Sequence, residues 1–435
     1  MKDEISIFWF RRDLRLSDNH GFFKALESSK NVLPIFIFDT EILTNLENKE
    51  DKRVDFLVQV LNILNEFLAK SGKSIKILHG KPLEVFRKLT EEYKISKVFS
   101  NEDYEPSAIK RDAEIEKFLT SKKIGFQLFK DQVHFHKDEI LKSDGTPYTI
   151  YTPFSKQWLI KFNTQKTENY PSEKLLQNLI SLEREELTLK QIGFKETNYQ
   201  FEIPKIDKEI IKNYQETRNL PTVKTSEMSV HLRFGTISVR KLAAETANLN
   251  QTYLKELIWR EFFMQILYHF PKVVNESFKK KYDLISWIYE EENLKKWQEG
   301  KTGYPIVDAG MRQLNETGFM HNRVRMVCAS FFTKHLLMDW RIGEAYFAEK
   351  LLDYDLSANN GNWQWSAGSG CDSAPYFRVF NPSEQQKKFD PEFKYIKKWV
   401  KEFGTKDYPE PIVEHKFARE RALKTYKEGL AKSEN

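Results

Sequence analysis

What most restricts the fold is a change of hydrophobic period partway along the chain. Over the first ~130 residues, short apolar runs alternate with amphipathic stretches, the pattern of β/α units on a parallel sheet. The spacing predicts strands over 5–10, 32–38, 75–78, 98–100 and 126–129, and helices over 21–28, 53–71, 82–93 and 106–122. Pro82 and Pro106 suit first-turn helix positions. From about Ile206 the strand signals nearly vanish. Segments 253–270, 294–298, 307–317, 322–337 and 343–352 read as helices, and 406–435 as a charged, polar stretch that ends in a frayed helix. The intervening stretch is charged, aromatic and poorly periodic. The fold class expected is therefore α/β plus all-α: a Rossmann-like parallel-sheet domain over 1–132, a long connector over 133–204, and a helical domain over 205–435.

Composition narrows the partners. With 14% aromatic residues the chain is no disordered polymer, despite 30% charged and only 40% hydrophobic residues. A net charge of +6 permits a polyanionic partner without requiring one. Cys328 and Cys371 are the only cysteines, which excludes a disulfide framework and points to a reducing, cytoplasmic setting. The start, MKDEISIFWF, is too short an apolar run for a signal peptide, and no run is long enough to span a bilayer. A soluble monomer is expected. After the first strand stands FWFRRDLRLSDN in place of GxGxxG, so a dinucleotide fingerprint is not supported. Arg11, Arg12 and Arg15 there suit either a phosphate or a salt-bridge cluster. His134 and His136 lack a third ligand at useful spacing, so no metal is expected.

Four stretches of the second half carry chemistry. The run 351–382, LLDYDLSANNGNWQWSAGSGCDSAPYFRVFNP, mixes carboxylates (Asp353, Asp355), amides (Asn359, Asn360), two indoles (Trp363, Trp365) and glycines. A planar ligand with polar edges, a flavin or a nucleobase, would use all of them. If this piece is helical the two Trp lie about 200° apart and point opposite ways; if extended they share a face. Two core rings account for the pair taken alone. In MHNRVRM, Asn322, Arg325 and Met326 share a helix face, and Arg325 suits a carboxylate such as Asp353 or Asp355. In ELIWREFF, Glu256, Trp259 and Arg260 share one side. Taken alone the segment is better explained as a surface ion pair beside a core Trp; the functional reading is a buried acid next to a Trp on which a base can stack. Thr225, Ser226 and Ser229 surround a helix start; a cap with Thr225 in the cap position suffices, though hydroxyls there also suit phosphate.

Together these stretches resemble the photolyase/cryptochrome family, and class I cyclobutane-pyrimidine-dimer photolyases most closely. The likeness spans FWFRRDLRLSDN, TSEMS, ELIWREFF, DAGMRQL, MHNRVRM, DWRIGE and NNGNWQW through APYFRVFNP. It implies a light-driven DNA-repair enzyme. Reduced, photoexcited FAD in the helical domain would pass an electron to a pyrimidine dimer flipped out of ultraviolet-damaged DNA. Tyr214, Thr225, Ser226, Met228 and Ser229 match FAD pyrophosphate and ribityl contacts, and Arg325 the partner of Asp353. Asp355 and Asn359 match the isoalloxazine edge, while Tyr253 stands where a Trp is common near the flavin. Glu256, Trp259, Asn322, Arg323, Met326, Trp365 and Gln385 match dimer and DNA contacts, Arg218 a phosphate contact, and Trp363, Trp340 and Trp287 an electron relay.

Asn359 and Asn322 are the residues that the family's cyclobutane-dimer photolyases carry at these two places. The rival expectations are a blue-light-sensing cryptochrome-type flavoprotein and a (6-4) or single-strand photolyase. A second, antenna chromophore (deazaflavin, folate or flavin) is implied. Ser107 and Ala108 replace the Asn and Glu of folate-binding members, which weakens folate.

Overall fold

The structure, a computed structural model, describes residues 4–432. It divides into two units that are not contiguous in sequence. The first comprises the chain up to Ile140, Gln157–Ile206 and Glu227–Leu249; the second comprises Leu141–Lys156, Asp207–Ser226 and everything from Asn250 on. The expected connector is therefore shared out between the units, and most of it packs with the sheet. It holds a helix, Tyr151–Thr164, that its weak periodicity did not announce.

In the first unit five strands, β1 (Glu4–Phe10), β2 (Val32–Asp39), β3 (Lys76–Gly80), β4 (Lys94–Asn101) and β5 (Gly125–Phe129), form one sheet in the order β3-β2-β1-β4-β5. All pairings are parallel. The central strands IFWF and VLPIFIF are near-continuous apolar runs because both sheet faces are covered. The edge strands β3 and β5 are half-exposed and more polar. β4 begins four residues earlier than its apolar core suggests, since KISK pairs with the start of β1 through a register shift between Ile5 and Ser6. Helices Pro82–Glu92 and Pro106–Ser121 open on proline, as expected, and bury Phe86, Leu89, Ile115 and Leu119 against Ile7, Trp9, Ile35 and Val98.

Strand order reverses between β1 and β4, and the carboxyl ends there are where doubly wound sheets bind ligands. Here the place is filled by arginines paired with carboxylates, with the Nε of Arg15 and of Arg240 left without a partner. Arg11 clasps Asp112 at 2.6 and 2.7 Å, Arg12 reaches Glu105 at 2.8 Å, and Arg15 takes both oxygens of Asp131 at 2.7 Å. Arg240 joins Asp131 at 2.9 Å. The salt-bridge reading of the three N-terminal arginines is the one realised.

The second unit is helical. Gln251–His269 is capped by Asn250, whose side chain accepts from Thr252 and Tyr253 N–H groups. Asn322–Ser330 is capped by His321, whose Nδ1 accepts from Arg323 N–H at 3.2 Å. The helix expected over 322–337 is broken. A wider π turn, Phe331–His335, follows Ser330, and Leu337 takes a positive φ of 53° that ends it. The turn aims the buried Lys334 at the carbonyl of Ala367, 3.0 Å away, at the end of helix Leu356–Ala367. The tail forms a 17-residue helix, His415–Ala431, anchored by Tyr426. No helix among the described residues is long and apolar enough to cross a membrane.

Two glycines set how closely the central helices pack. A Cβ on Gly361 would stand 2.2 Å from the Phe263 ring, and one on Gly343 2.2 Å from the Trp363 ring. Helix Leu356–Ala367 thus lies tightly against Gln251–His269 on one side and Trp340–Lys350 on the other.

Candidate functional site

NNGNWQW is helical, so its side chains fan outward. Trp363 is buried among Phe332 and Phe347, whereas Trp365 is half-exposed beneath the Arg378 guanidinium, 6.0 Å from its ring. The two indoles do point to different surroundings, as the helical spacing predicts. Asn360 faces Val273, donating to its carbonyl at 2.9 Å, and Gln364 donates to the same carbonyl at 3.0 Å. Asn359 faces the opposite way. Its Nδ2 donates to both the backbone carbonyl and Oε1 of Glu344, at 3.0 and 2.8 Å. A carbonyl can only accept, so the amide's orientation is fixed and Oδ1 is aimed away from Glu344. Burial raises the Glu344 carboxyl, opposed by the Asn359 bond. Glu344 closes the DWRIGE stretch, but no role is expected for it from the sequence.

Arg325 donates to Asp353 Oδ2 at 2.9 Å and to the Met320 carbonyl at 2.7 Å. The pairing anticipated with Asp353 is therefore formed. Asp353 is buried, yet its Oδ1 has no hydrogen-bond partner. A buried carboxylate oxygen left bare costs ~1–3 kcal/mol or more, so it marks a place for a donor that the polypeptide does not supply. Asp355 caps helix Leu356–Ala367, accepting from Ala358 N–H at 3.2 Å and from the Ser357 hydroxyl.

A third group gathers at the start of helix Gln251–His269. Ser226 Oγ lies 3.2 Å from Tyr253 Oη, and Tyr214 meets the Tyr253 ring edge-on at 5.1 Å. Thr225 and Ser226 precede helix Met228–Phe234, but Thr225 is not its cap. Glu227 takes that position with φ 54° and makes no side-chain cap bond, because the left-handed residue turns the chain into the helix by backbone alone. Met228, buried, and Ser229, exposed, belong to the first unit.

Glu256 does not pair with Arg260 along the helix. It pairs with Arg218, 2.6 Å away. Burial raises the Glu256 carboxyl, and Arg218 only partly offsets this. Three residues on, Trp259 is half-buried with one face already covered by Tyr151, at 3.6 Å between ring centroids. Arg323 is held by Asn219 Oδ1 at 3.1 and 2.7 Å and lies over Phe389 at 4.6 Å. Phe389 ends the helix that carries Gln385, whose buried Oε1 is also bare. Burial, with the charges of Arg218 and Arg378, makes the Arg323 guanidinium easier to deprotonate than usual. Two further cations, Arg218 and Arg378, thus act on Arg323, and Arg218 alone is paired with Glu256. Asn322 is exposed and Met326 half-buried on the same helix as Arg323 and Arg325.

Trp340 and Trp363 share one core with Trp297, and Trp287 packs against it. The indole N–H groups of Trp340 and Trp287 are buried without partners. Trp287 also meets Tyr426 edge-on at 5.6 Å.

The family model for DNA photolyase matches residues 6–172, and that for the FAD binding domain of DNA photolyase matches 253–406. A Synechococcus protein named deoxyribodipyrimidine photo-lyase is 35% identical, over 94% of this chain and 93% of its own length. The chain belongs to the photolyase/cryptochrome family. Among solved structures, a class III photolyase from Agrobacterium tumefaciens superposes with a TM-score of 0.87 at 32% identity, covering 99% of this chain and 98% of that one. A Synechocystis cryptochrome superposes at 0.84 with 26% identity, covering 98% and 99%. The likeness extends across subclasses of this photolyase family. Its FAD-binding domain falls in the second unit, where the bare Asp353 oxygen, the Arg325 guanidinium, the Asn359 amide and the Ser226 hydroxyl fit a group with hydroxyl, phosphate and imide edges.

Proposed function

We propose that this photolyase-family chain repairs ultraviolet-damaged DNA, splitting cyclobutane pyrimidine dimers in blue light. The observation that carries the reading is Glu256. This half-buried acid pairs with Arg218 at 2.6 Å, burial raises its carboxyl, and Trp259 stands three residues further along the same helix. A protonated carboxyl donates a hydrogen bond to a pyrimidine carbonyl, and Arg218 offsets negative charge that develops there. FAD, when bound and reduced, supplies the electron that opens the cyclobutane ring under light and recovers it afterwards.

Every other role falls to the polypeptide. Arg325, Asp353, Asp355 and Asn359 would hold the flavin, with Tyr214, Thr225, Ser226 and Tyr253 along its remainder. Asn359, locked by Glu344, presents only an oxygen, which suits a flavin nitrogen that carries a proton. Asn322 and Met326 would border the dimer. Arg218, Arg323, Trp365 and Gln385 would meet the surrounding DNA, joined by Arg378, which sequence reading passed over. Trp363, Trp340 and Trp287 would carry electrons inward to reduce the flavin.

The test is an oligonucleotide containing one thymine dimer, incubated with flavin-reduced protein in blue light and in darkness. Loss of the dimer in light alone is the expected result. The likeness to a cryptochrome supports a second reading, a light sensor that repairs nothing. Intact dimers alongside normal flavin photoreduction would favour it.

A further inference from the structure

Trp259 is not a free ring. Tyr151 lies flat against it, with centroids 3.6 Å apart and planes 5° from parallel. The tyrosine is itself pinned at three points. Its phenol donates to the Lys255 carbonyl at 2.9 Å, one turn before Trp259 on the same helix. Its backbone N–H donates to Asp372 Oδ2 at 3.0 Å. Its ring meets Phe262 edge-on at 5.9 Å. Burial, reinforced by the charge of Glu256, pushes the phenol upward, so it stays a neutral donor. Asp372 lies just beyond helix Leu356–Ala367, the helix that bears Trp365. One residue, through its ring and phenol on one side and its backbone N–H on the other, thus ties the Trp259 helix to the segment that follows Trp365.

We infer that Tyr151 is the positioning residue for lesion recognition: it locks the Trp259 indole into one plane, so that the ring's exposed part is a preset platform for the flipped dimer. The inference rests on the reading of Trp259 as lesion-facing. The reasoning is entropic. A half-exposed indole without a backing ring samples several rotamers, and binding must freeze it. Backed by a buried, doubly tethered tyrosine, it has already lost that freedom. Phosphate contacts by Arg218, Arg323 and Arg378 do not depend on the plane of this ring. The effect should therefore fall on damaged DNA alone.

The experiment compares the affinity of the flavin-loaded protein for one oligonucleotide with and without a thymine dimer. Tyr151→Leu should weaken binding of the damaged strand about three- to tenfold, the cost of immobilising one side chain, and leave undamaged DNA unchanged. Tyr151→Phe keeps the stack and should stay within about twofold of the parent. In a Trp259→Ala background, Tyr151→Leu should add nothing. Equal losses on both DNAs, an equally harmful Tyr151→Phe, or a further loss in the Trp259→Ala background would each overturn the inference. Undiminished dimer binding by Trp259→Ala would remove the lesion-facing reading of Trp259 itself, and this inference with it. Loss in Trp259→Ala without loss in Tyr151→Leu overturns the positioning role alone. Should Tyr151→Leu fail to fold, Asp372→Ala releases only the backbone tether. A smaller loss confined to damaged DNA would then support the role, and no such difference would refute it.

Discussion

At the carboxyl ends of β1 and β4 in the first unit, Arg11, Arg12 and Arg15 each meet a carboxylate, and Asp131 serves Arg15 and Arg240 together. In the second unit, Arg218 pairs with Glu256, the charges of Arg218 and Arg378 act on Arg323, and the buried Asp353 keeps an oxygen bare. The same residue types are used in both places. In the first each arginine's charge is met by a carboxylate and only the Nε of Arg15 and of Arg240 lacks a partner; in the second a carboxylate oxygen is left without a donor. Buried arginines that each meet a carboxylate are architecture, whereas a buried carboxylate oxygen without a donor implies a missing partner. The contrast explains why the sheet, despite its nucleotide-binding topology, shows no phosphate cradle at β1, and why the chemistry lies among helices.

The strongest way to break this comparison is in the first unit. Asp131→Ala leaves two buried guanidiniums, 7% and 2% exposed, without their shared acid. Removing one partner from such a pair costs about 3–5 kcal/mol. Denaturant unfolding should show that loss, while the folded fraction still repairs dimers at the parental rate. A stable variant with impaired repair would mean that the first unit's charges serve chemistry after all.

Acid should act on both units together. His134 and His231 in the first and His321 in the second are buried, and burial lowers each to about 4, against 6.5 for an ordinary ring. Neighbouring cations add to this at His134 and His321. Between pH 6.5 and 4 the unfolded chain takes up protons that the native rings refuse, so stability is complete above 6.5 and drains away as pH falls to 4. The term is on the order of 3 kcal/mol for a ring as buried as His321. His321→Asn keeps the cap on Arg323 N–H and should flatten part of this loss in thermal melts.

How much of this was legible follows from the same contrast. The buried runs of β1 and β2 and the two prolines located the sheet, because period and turn chemistry are local. The partition of units was not legible: Glu227–Leu249 returns to the first unit through contacts such as Leu14 N–H to the Phe234 carbonyl at 3.1 Å, which no local pattern announces. The site was legible where unusual residues cluster, as in the 351–382 run and MHNRVRM. Glu344, Tyr151 and Arg378 were missed because each looks ordinary beside its neighbours and gains its role from a partner far away in sequence. Glu256 was noticed, but its partner was not: a local ion pair with Arg260 was the plain alternative, whereas the residue that pairs with it is Arg218, distant in sequence.

A milder change probes packing at the second unit's centre. Gly361→Ala must push a methyl into the Phe263 ring, and overpacking of this kind costs about 1–3 kcal/mol. Because the displaced helix carries Asp355 and Asn359, flavin content should fall with the melting temperature. Arg378→Ala should have the smallest effect. It should lower the slope of log affinity against log salt by about one for damaged and undamaged DNA alike, leaving the repair yield per bound dimer unaltered.

The most direct measurement is the FAD content of purified Asp353→Asn, by absorbance after denaturation, set beside the parent and Asp131→Ala. The substitution keeps the side chain's shape but replaces the charge that meets Arg325 and the bare oxygen. The account predicts at least about tenfold weaker retention of FAD in Asp353→Asn, with one FAD per folded chain in the other two. Full occupancy in Asp353→Asn would contradict it.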